Sequence, residues 1–233
     1  MARMFDEVAP VYDRLNTVMT LGIDSRWRRR AVAETRLRAG ESAVDVCCGT
    51  GKLAALLAER VGPFGRVEGI DLSPAMIDLA SERLHSLVQA HFAVGNALEL
   101  SFPDGEFDAA TIGFGLRNLS DFEAGFRELA RVVRPGGRIV CLELSLPPSR
   151  ALARLYHGTF HRGAPLAARL LGGPADAYSY LPQSLEGFPS ADQVAEQMQA
   201  AGLLDVRYVR MAGGAVCLHW GNAPARQGET EAG

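Results

Sequence analysis

The chain has 233 residues, of which 48% are hydrophobic and 22% are charged. This length and composition are typical of a globular domain with a substantial core, and they exclude a disordered chain, a collagen-like fibre and a coiled coil. The formal net charge of −3 argues against a dedicated nucleic-acid binder, which usually carries a basic excess. The chain also contains 25 glycines, and glycines concentrate where the backbone turns sharply or approaches a ligand.

The sequence carries no targeting or redox pattern. Residues 1–10 lack the apolar segment of a secretory signal, and no apolar run approaches the ~20 residues that a membrane-spanning helix needs. We therefore expect a cytoplasmic protein. The spacing of the cysteines fits no zinc site, so we predict no metal and expect buried thiols at Cys47, Cys48, Cys141 and Cys217.

Helices and strands are predicted to alternate along the first two thirds of the chain. Apolar periodicity, together with the positions of glycine, proline and capping residues, defines these elements. In chain order they are a helix over 26–38 with Ser25 as its cap, a strand over 42–48, a helix over 52–61, a strand over 65–70, a helix opened by Ser73-Pro74 and running to about 89, strands over 90–94 and 107–113, a helix over 121–133 and a strand over 138–144.

This alternation predicts right-handed crossovers and a mostly parallel sheet. A helix over 190–201 follows, and then two strands near 204–210 and 215–220 that are joined by a short glycine turn, which indicates an antiparallel edge. The predicted fold is α/β, a Rossmann-like, doubly wound, mostly parallel seven-stranded sheet with an antiparallel edge strand.

The expected organisation is a single domain over residues 1–221. Within it we predict an N-terminal helical segment and a lid-like insertion at about 146–188, which is rich in proline, glycine, tyrosine and leucine. Residues 222–233 are polar and predicted to form a disordered tail.

The turn after the first strand is the candidate ligand-binding loop. Asp45 stands at its start, and Gly49, Thr50 and Gly51 lead into the next helix. Ligands of doubly wound sheets bind beyond the carboxyl ends of the strands, where glycines allow close approach and a helix N-terminus offers N–H groups. Asp71 ends the second strand, and a carboxylate there can accept both ribose hydroxyls of an adenosine.

Three kinds of nucleotide site compete for this loop. A phosphate-binding P-loop is excluded, because Gly51-Lys52 is not followed by Ser or Thr. A nicotinamide dinucleotide fits Gly49-x-Gly51 weakly, but Lys52 is the only lysine and no Tyr-x-x-x-Lys pair exists. S-adenosylmethionine fits better, since its ammonium suits Asp45, its carboxylate suits the helix N-terminus and its ribose suits Asp71.

Motifs along the chain carry a family resemblance. They are Phe5-Asp6-x-Val8-Ala9, Tyr12-Asp13, Trp27-Arg28, Asp45–Gly51, Gly69-Ile70-Asp71, Gly95-Asn96-Ala97, Phe114–Asn118, Arg134–Gly137, Tyr178-x-Tyr180-Leu181 and Phe188-Pro189. From about Met4 to Gly221 the sequence resembles the class I S-adenosylmethionine-dependent methyltransferases. More narrowly, it resembles the ubiquinone/menaquinone biosynthesis C-methyltransferases, of which Phe114–Asn118 and the Tyr-x-Tyr-Leu stretch are the most specific.

The resemblance implies a cofactor and the residues that bind it. The cofactor is S-adenosylmethionine, and the matching positions are Thr50, Asp71, Asn96 and Ala97. A serine often precedes the Phe-Gly-Leu-Arg-Asn motif in this family. Gly113 stands at that position here, so any contact with the cofactor must come from its backbone.

The resemblance also implies the reaction, which is methylation of a ring carbon of a prenylated (naphtho)hydroquinone, demethylmenaquinol to menaquinol. Arg117 and Asn118 are the candidate catalytic residues at the end of the fourth strand. Arg117 could stabilise a phenolate or hold a water that takes its proton, and the alternative is a surface ion pair with Asp121. Tyr178 could line the ring pocket and Tyr12 could close over the cofactor, the alternatives being packing and helix capping.

A prenylated quinol is therefore the expected partner, with no nucleic acid. Apolar residues at helical spacing near 152–160, with arginines nearby, predict a lid for the prenyl tail or transient contact with the inner membrane surface. A homodimer is a further expectation. Three other functions stay open: a methyltransferase of this fold acting on another small aromatic or polyketide, a non-catalytic cofactor-binding subunit, and a nicotinamide oxidoreductase.

Two substitutions separate binding from turnover. Asp71→Ala should mainly weaken cofactor binding, because it removes the acceptor for the ribose hydroxyls. Arg117→Ala should lower turnover and leave cofactor binding nearly unchanged. Calorimetry with the cofactor and steady-state kinetics check the two effects, and normal turnover in Arg117→Ala would contradict its catalytic assignment.

Overall fold

Strands and helices alternate in the computed structural model of the chain, which describes residues 6, 9, 13, 17, 20, 22–145, 147, 184, 185 and 187–225. The elements in chain order are α1 (Asp24–Thr35), β1 (Ser42–Val46), α2 (Lys52–Val61), β2 (Arg66–Asp71), α3 (Pro74–Arg83), β3 (Ala90–Val94), β4 (Phe107–Gly113), α4 (Phe122–Val132), β5 (Val133–Leu144), α5 (Ala191–Ala200), β6 (Leu204–Met211) and β7 (Val216–Asn222).

The strands form one seven-stranded sheet in the order β3-β2-β1-β4-β5-β7-β6. Strands β1 to β5 pair in parallel, whereas β7 runs antiparallel to both β5 and β6. The predicted fold class is confirmed, with the antiparallel pair at one edge of the sheet. Because β1 lies between β2 and β4, the winding reverses there, and a ligand crevice is expected beyond the carboxyl ends of these three strands.

Helices cover both faces of the sheet. Alternate residues of β1 enter different apolar clusters, with Val44 packing in the cluster of Phe126 and Ala43 in that of Leu57. Leu53 and Leu57 of α2 are buried in the cluster of Ala43, and Leu56 packs against it partly buried. Burial on both sides explains why the central strands read as continuous apolar runs.

The ends of two helices differ from the sequence predictions. Helix α1 begins at Asp24, and Ser25 lies in its first turn with its hydroxyl donating to the Gly22 carbonyl, so the prediction that Ser25 caps this helix was wrong. Helix α3 ends at Arg83 instead of near residue 89, because a turn between Leu84 and Leu87 leads the chain into β3.

Strands β5 and β7 extend beyond their predicted bounds. The ladder with β4 pairs Phe107 with Val133 and resumes at Arg138, so β5 begins before the Arg-Pro-Gly-Gly turn. Strand β7 includes Asn222, and Ala223 is buried, so the chain is packed to a point beyond the predicted start of the tail. Of the predicted insertion at 146–188, only residues 147, 184, 185, 187 and 188 are described.

Neither a membrane span nor a metal site is found among the described residues. No helix there is long and apolar enough to cross a membrane. Across the same described ranges, no group of three His, Cys, Asp or Glu side chains is placed to hold a metal ion.

Asp108 stabilises the end of the sheet at which the parallel strands β1 and β4 begin, opposite their carboxyl ends. Its carboxylate accepts hydrogen bonds from the Ser42 N–H at 2.8 Å, the Ser42 hydroxyl at 3.0 Å and Arg134 Nε at 2.6 Å. We expect Asp108→Ala to lower the free energy of unfolding by about 2 kcal/mol, measured by urea denaturation. Ligand affinity at the crevice should stay unchanged. A large loss of affinity would show that this end of the strands is coupled to the crevice.

Candidate active site

A partly open cavity lies at the carboxyl ends of β1, β2 and β4. Ligands of open α/β sheets bind at this end of the strands, where the winding reverses. Four segments supply its lining: Cys47 and Gly49; Ile70, Asp71, Leu72, Ser73 and Met76; Gly95 and Ala97; and Gly113, Phe114, Gly115, Asn118 and Leu119. The cavity is therefore built where the winding of the sheet reverses.

The cavity brings part of the predicted site together. The predicted residues that line it are Gly49, Asp71, Ala97, Gly113 and Asn118. Five others lie around it without forming its lining, namely Asp45, Thr50, Gly51, Asn96 and Arg117. Tyr12 and Tyr178 lie outside the described residues. The roles assigned to all of these residues stay predictions.

Asp71 joins the loops that follow β1 and β2. One carboxylate oxygen accepts the Gly49 N–H and the other accepts the Ser73 N–H, both at 2.9 Å. Burial raises the pKa of Asp71, although these two amide hydrogen bonds act in the opposite direction. Each carboxylate oxygen has a further lone pair, so Asp71 retains acceptor capacity toward hydroxyl groups in the cavity.

Asp45 is a buried carboxylate with one unused oxygen. The residue is 1% exposed, and Oδ1 accepts the Thr111 hydroxyl at 2.6 Å. Oδ2 is buried and has no hydrogen-bond partner among the described residues. Burial raises the pKa of Asp45 to about 7, while the Thr111 hydroxyl and the Arg28 guanidinium act in the opposite direction. A buried acceptor left unpaired is costly, so this oxygen suits a cationic ligand group.

Two residues in left-handed backbone conformation meet at the cavity wall. Cys47 has φ of 52° and Phe114 has φ of 60°, although neither is a glycine. A Cβ at Gly115 would lie 2.3 Å from Cβ of Cys47, so only glycine permits this approach of the two loops. Strained conformations of this kind cost about 1–3 kcal/mol each and cluster at ligand sites.

Arg117 lies behind the cavity wall in a buried ion pair. Its side chain is 5% exposed, and Nη1 lies 2.5 Å from Glu143 Oε1 and 2.7 Å from the Phe114 carbonyl oxygen. The sequence had offered a surface ion pair with Asp121, but Asp121 instead caps α4 by accepting the Ala124 N–H. Sequence reasoning missed Glu143, and its only signal is an acidic residue directly after the apolar run Ile139–Leu142.

Arg28 of α1 is a second arginine near the cavity that sequence reasoning did not assign. Asp24 pairs with its Nε at 3.4 Å. The guanidinium carbon lies 5.0 Å from the Phe114 ring centroid, within the range of a cation–π contact. Its charge also acts on Asp45. Phe114 therefore receives an arginine contact at its ring and another at its carbonyl group.

Two other predicted residues shape the loops around the cavity. Asn96 accepts the Leu98 N–H through its side-chain oxygen at 3.0 Å, and this turn places the neighbouring Gly95 and Ala97 at the cavity. Gly51 adopts φ of 79° at the start of α2, a conformation that glycine adopts without strain.

Two aspartates tie the N-terminal segment to the cavity loops. Asp13 accepts the Thr50 hydroxyl at 2.9 Å and also contacts Arg83. Asp6 accepts the Ser73 hydroxyl at 2.5 Å. The described N-terminal residues are therefore anchored to the loops that follow β1 and β2.

The reversed winding, the glycine loop and the carboxylate at the end of β2 define a Rossmann-like fold with a crevice at the switch point of the sheet. A SAM dependent methyltransferase from Aquifex aeolicus has the same fold, with a TM-score of 0.63 at 21% identity, covering 84% of this chain and 89% of that chain. The sequence matches the ubiE/COQ5 methyltransferase family over residues 1–223, and the chain belongs to that family.

Relatives match nearly the whole chain. It is 42% identical over 222 residues to the demethylmenaquinone methyltransferase of Thermus thermophilus, covering 95% of this chain and 100% of the relative. It is 36% identical over 224 residues to that of Listeria welshimeri, covering 94% of each. The family resemblance, the enzyme class and S-adenosylmethionine as cofactor are confirmed, which decides against a nicotinamide oxidoreductase.

If Asp45 receives the ammonium group of the cofactor, as predicted, its raised pKa should make binding dependent on pH. Below about pH 7 this carboxyl group is mostly protonated and must lose its proton before it can receive an ammonium group. We expect the Kd of S-adenosylhomocysteine, which keeps that ammonium, to rise up to about tenfold between about pH 7.5 and 6. Calorimetry in two buffers of different ionisation enthalpy measures both the Kd and the proton release.

The matched control for this prediction is Asp45→Asn. The variant should bind weakly at every pH, without the pH dependence, because the amide cannot ionise. A wild-type Kd that is constant over this pH range would contradict the role of Asp45.

Proposed function

We propose that this chain methylates the ring carbon of a prenylated naphthohydroquinone, converting demethylmenaquinol to menaquinol with S-adenosylmethionine as methyl donor. The observation that carries the proposal is that Asp71 and Asn118 line one cavity. Asp71 lies where an adenosine-binding carboxylate is expected, and Asn118 belongs to the motif most specific to quinone methyltransferases. The names of full-length relatives support this substrate.

The residues around the cavity fit this cofactor. The orphaned Oδ2 of Asp45 can accept the ammonium group, and Asp71 can accept the ribose hydroxyls. Gly113 and Ala97 expose backbone and little side chain at the wall, which leaves room for the adenosyl group. When bound, the cofactor supplies a methyl group attached to a positively charged sulfur.

Methyl transfer to the ring is a displacement at the methyl carbon. The ring carbon would gain the methyl group as its bond to sulfur broke, and the ring carbon would then lose its proton to water. Ionisation of the neighbouring hydroxyl makes the ring carbon more nucleophilic, so a cation near that oxygen lowers the barrier. Positioning of the two reactants contributes as well, because no covalent enzyme intermediate is needed.

Arg117 and Asn118 supply these two effects in the proposed mechanism. Asn118 lines the cavity, where its amide can orient a ring oxygen. Arg117 lies behind the same wall with its guanidinium shielded from water, and charge interactions are stronger in such an environment. Because Glu143 offsets part of this charge, Arg117 also acts on the cavity through the main chain of the wall, by donating to the Phe114 carbonyl oxygen.

We also propose that the substrate arrives from a membrane surface, because a prenyl tail partitions into lipid. The candidate contact is the insertion at 146–188, most of which lies outside the described residues. The homodimer and the cytoplasmic location, peripheral to the inner membrane face, stay predictions.

Incubation with radiolabelled S-adenosylmethionine and a panel of acceptors tests the proposed function. The panel contains reduced demethylmenaquinone, an unprenylated naphthohydroquinone, a prenylated benzohydroquinone and a small phenolic polyketide. We expect label in the prenylated naphthohydroquinone at the highest kcat/KM. The oxidised quinone is the control and should accept no methyl group, because its ring is electron-poor. Transfer to the phenolic polyketide alone would overturn the proposal in favour of a different small-molecule methyltransferase.

A further inference from the structure

Glu143 is a buried carboxylate for which the proposed reaction has no direct use. Its side chain is 2% exposed, and it follows the buried residues Ile139–Leu142 on β5. Removing an ionised carboxylate from water is costly unless partners compensate, and an apolar replacement for a buried ion pair is often as stable. Stability alone therefore does not explain why a charged residue occupies this buried position.

Both oxygens of Glu143 are directed at Arg117. Oε1 accepts Arg117 Nη1 at 2.5 Å and the Leu144 N–H at 2.7 Å, while Oε2 accepts the backbone N–H of Arg117 at 3.2 Å. The side chain therefore holds Arg117 at two points, its guanidinium and its main chain. This arrangement fixes both the rotamer of Arg117 and the position of the turn that carries it.

Arg117 transmits this constraint to the cavity wall. Its Nη1 donates to the Phe114 carbonyl oxygen at 2.7 Å, and the Phe114 N–H donates to the Leu142 carbonyl oxygen at 2.7 Å. The left-handed Phe114 is thus held at both its N–H and its carbonyl oxygen, and the wall continues through Gly115 to Asn118. Arg117 itself does not line the cavity, so its interaction with Glu143 acts through the main chain.

We propose that Glu143 is a positioning residue for methyl transfer: through Arg117 it sets the shape of the Phe114–Asn118 wall against which the acceptor ring lies. This proposal rests on the proposed function for its kinetic consequence but not for its structural one. The proposal also changes how a loss of turnover in Arg117→Ala is interpreted. That variant leaves the Glu143 carboxylate buried and unpaired, so part of the loss would come from a disturbed wall.

The test compares Glu143→Gln with the control Asp108→Ala, which removes hydrogen bonds at the amino-terminal ends of the parallel strands, far from the cavity wall. Glu143→Gln keeps the size of the side chain but replaces one acceptor with an amide that faces the Arg117 donors. Assays run well below each melting temperature keep both variants folded. We expect kcat for the accepted quinol to fall about tenfold to a hundredfold in Glu143→Gln, with the Kd of S-adenosylhomocysteine nearly unchanged. Asp108→Ala should keep a wild-type kcat despite its lower stability.

Hydrogen exchange of the amides of residues 114–119 supplies a measurement independent of activity. Exchange there should accelerate in Glu143→Gln and stay at the wild-type rate in Asp108→Ala. Unchanged exchange, or faster exchange with an unchanged kcat, would overturn the proposal. If the wild type methylates no quinol, the proposed function fails, and the exchange rates still decide whether Glu143 holds the wall.

A double variant tests whether Glu143 acts through Arg117. Glu143→Gln combined with Arg117→Met should be more stable than Arg117→Met alone, because the unpaired buried carboxylate is removed. Its kcat should equal that of Arg117→Met, since the two residues act as one unit. A kcat that falls further, by the full factor of Glu143→Gln, would contradict an action through Arg117.

Discussion

The close approach of Gly115 to Cys47 sets the separation of the loops that follow β1 and β4, and the cavity depends on it. No side chain fits between the two backbones at this point, and both Cys47 and Phe114 adopt left-handed conformations beside it. Asp71 then fixes the loop after β2 to the loop after β1 through two amide hydrogen bonds. Three strand ends become one rigid site in this way, and such a site orients reactants without reorganising.

The two buried carboxylates near this site, Glu143 and Asp45, differ in how many hydrogen bonds their oxygens accept. Glu143 receives three donors, all within the protein. Asp45 receives the Thr111 hydroxyl and keeps one oxygen without a partner among the described residues. A carboxylate whose acceptors are occupied can hold neighbouring groups in place, whereas an unused acceptor has capacity for a ligand. The difference in occupancy explains why we assign a positioning role to Glu143 and a binding role to Asp45.

Much of the fold follows from local patterns, because capping and apolar periodicity act over a few residues. Ser73 caps α3 as predicted, and the alternation of elements predicted the parallel sheet and so the end at which the cavity opens. The ends of α1 and α3 were misplaced because contacts outside the pattern decide them. The pair between Arg117 and Glu143 joins residues 26 positions apart. It could not be inferred, since nothing local to either residue specifies the other.

Strand β7 lies between β5 and the edge strand β6, although it comes last among the described strands. It pairs along β5 from Arg138 to Leu144, and Glu143 stands opposite Cys217 in that ladder. On a ribosome, a nascent chain that has not yet emerged as far as residues 216–222 presents this part of β5 as an open sheet edge. The main chain around Glu143 then lacks the pairing with Cys217 that holds this stretch of β5 in place. The wall from Phe114 to Asn118 therefore gains its full support only when β7 has paired with β5.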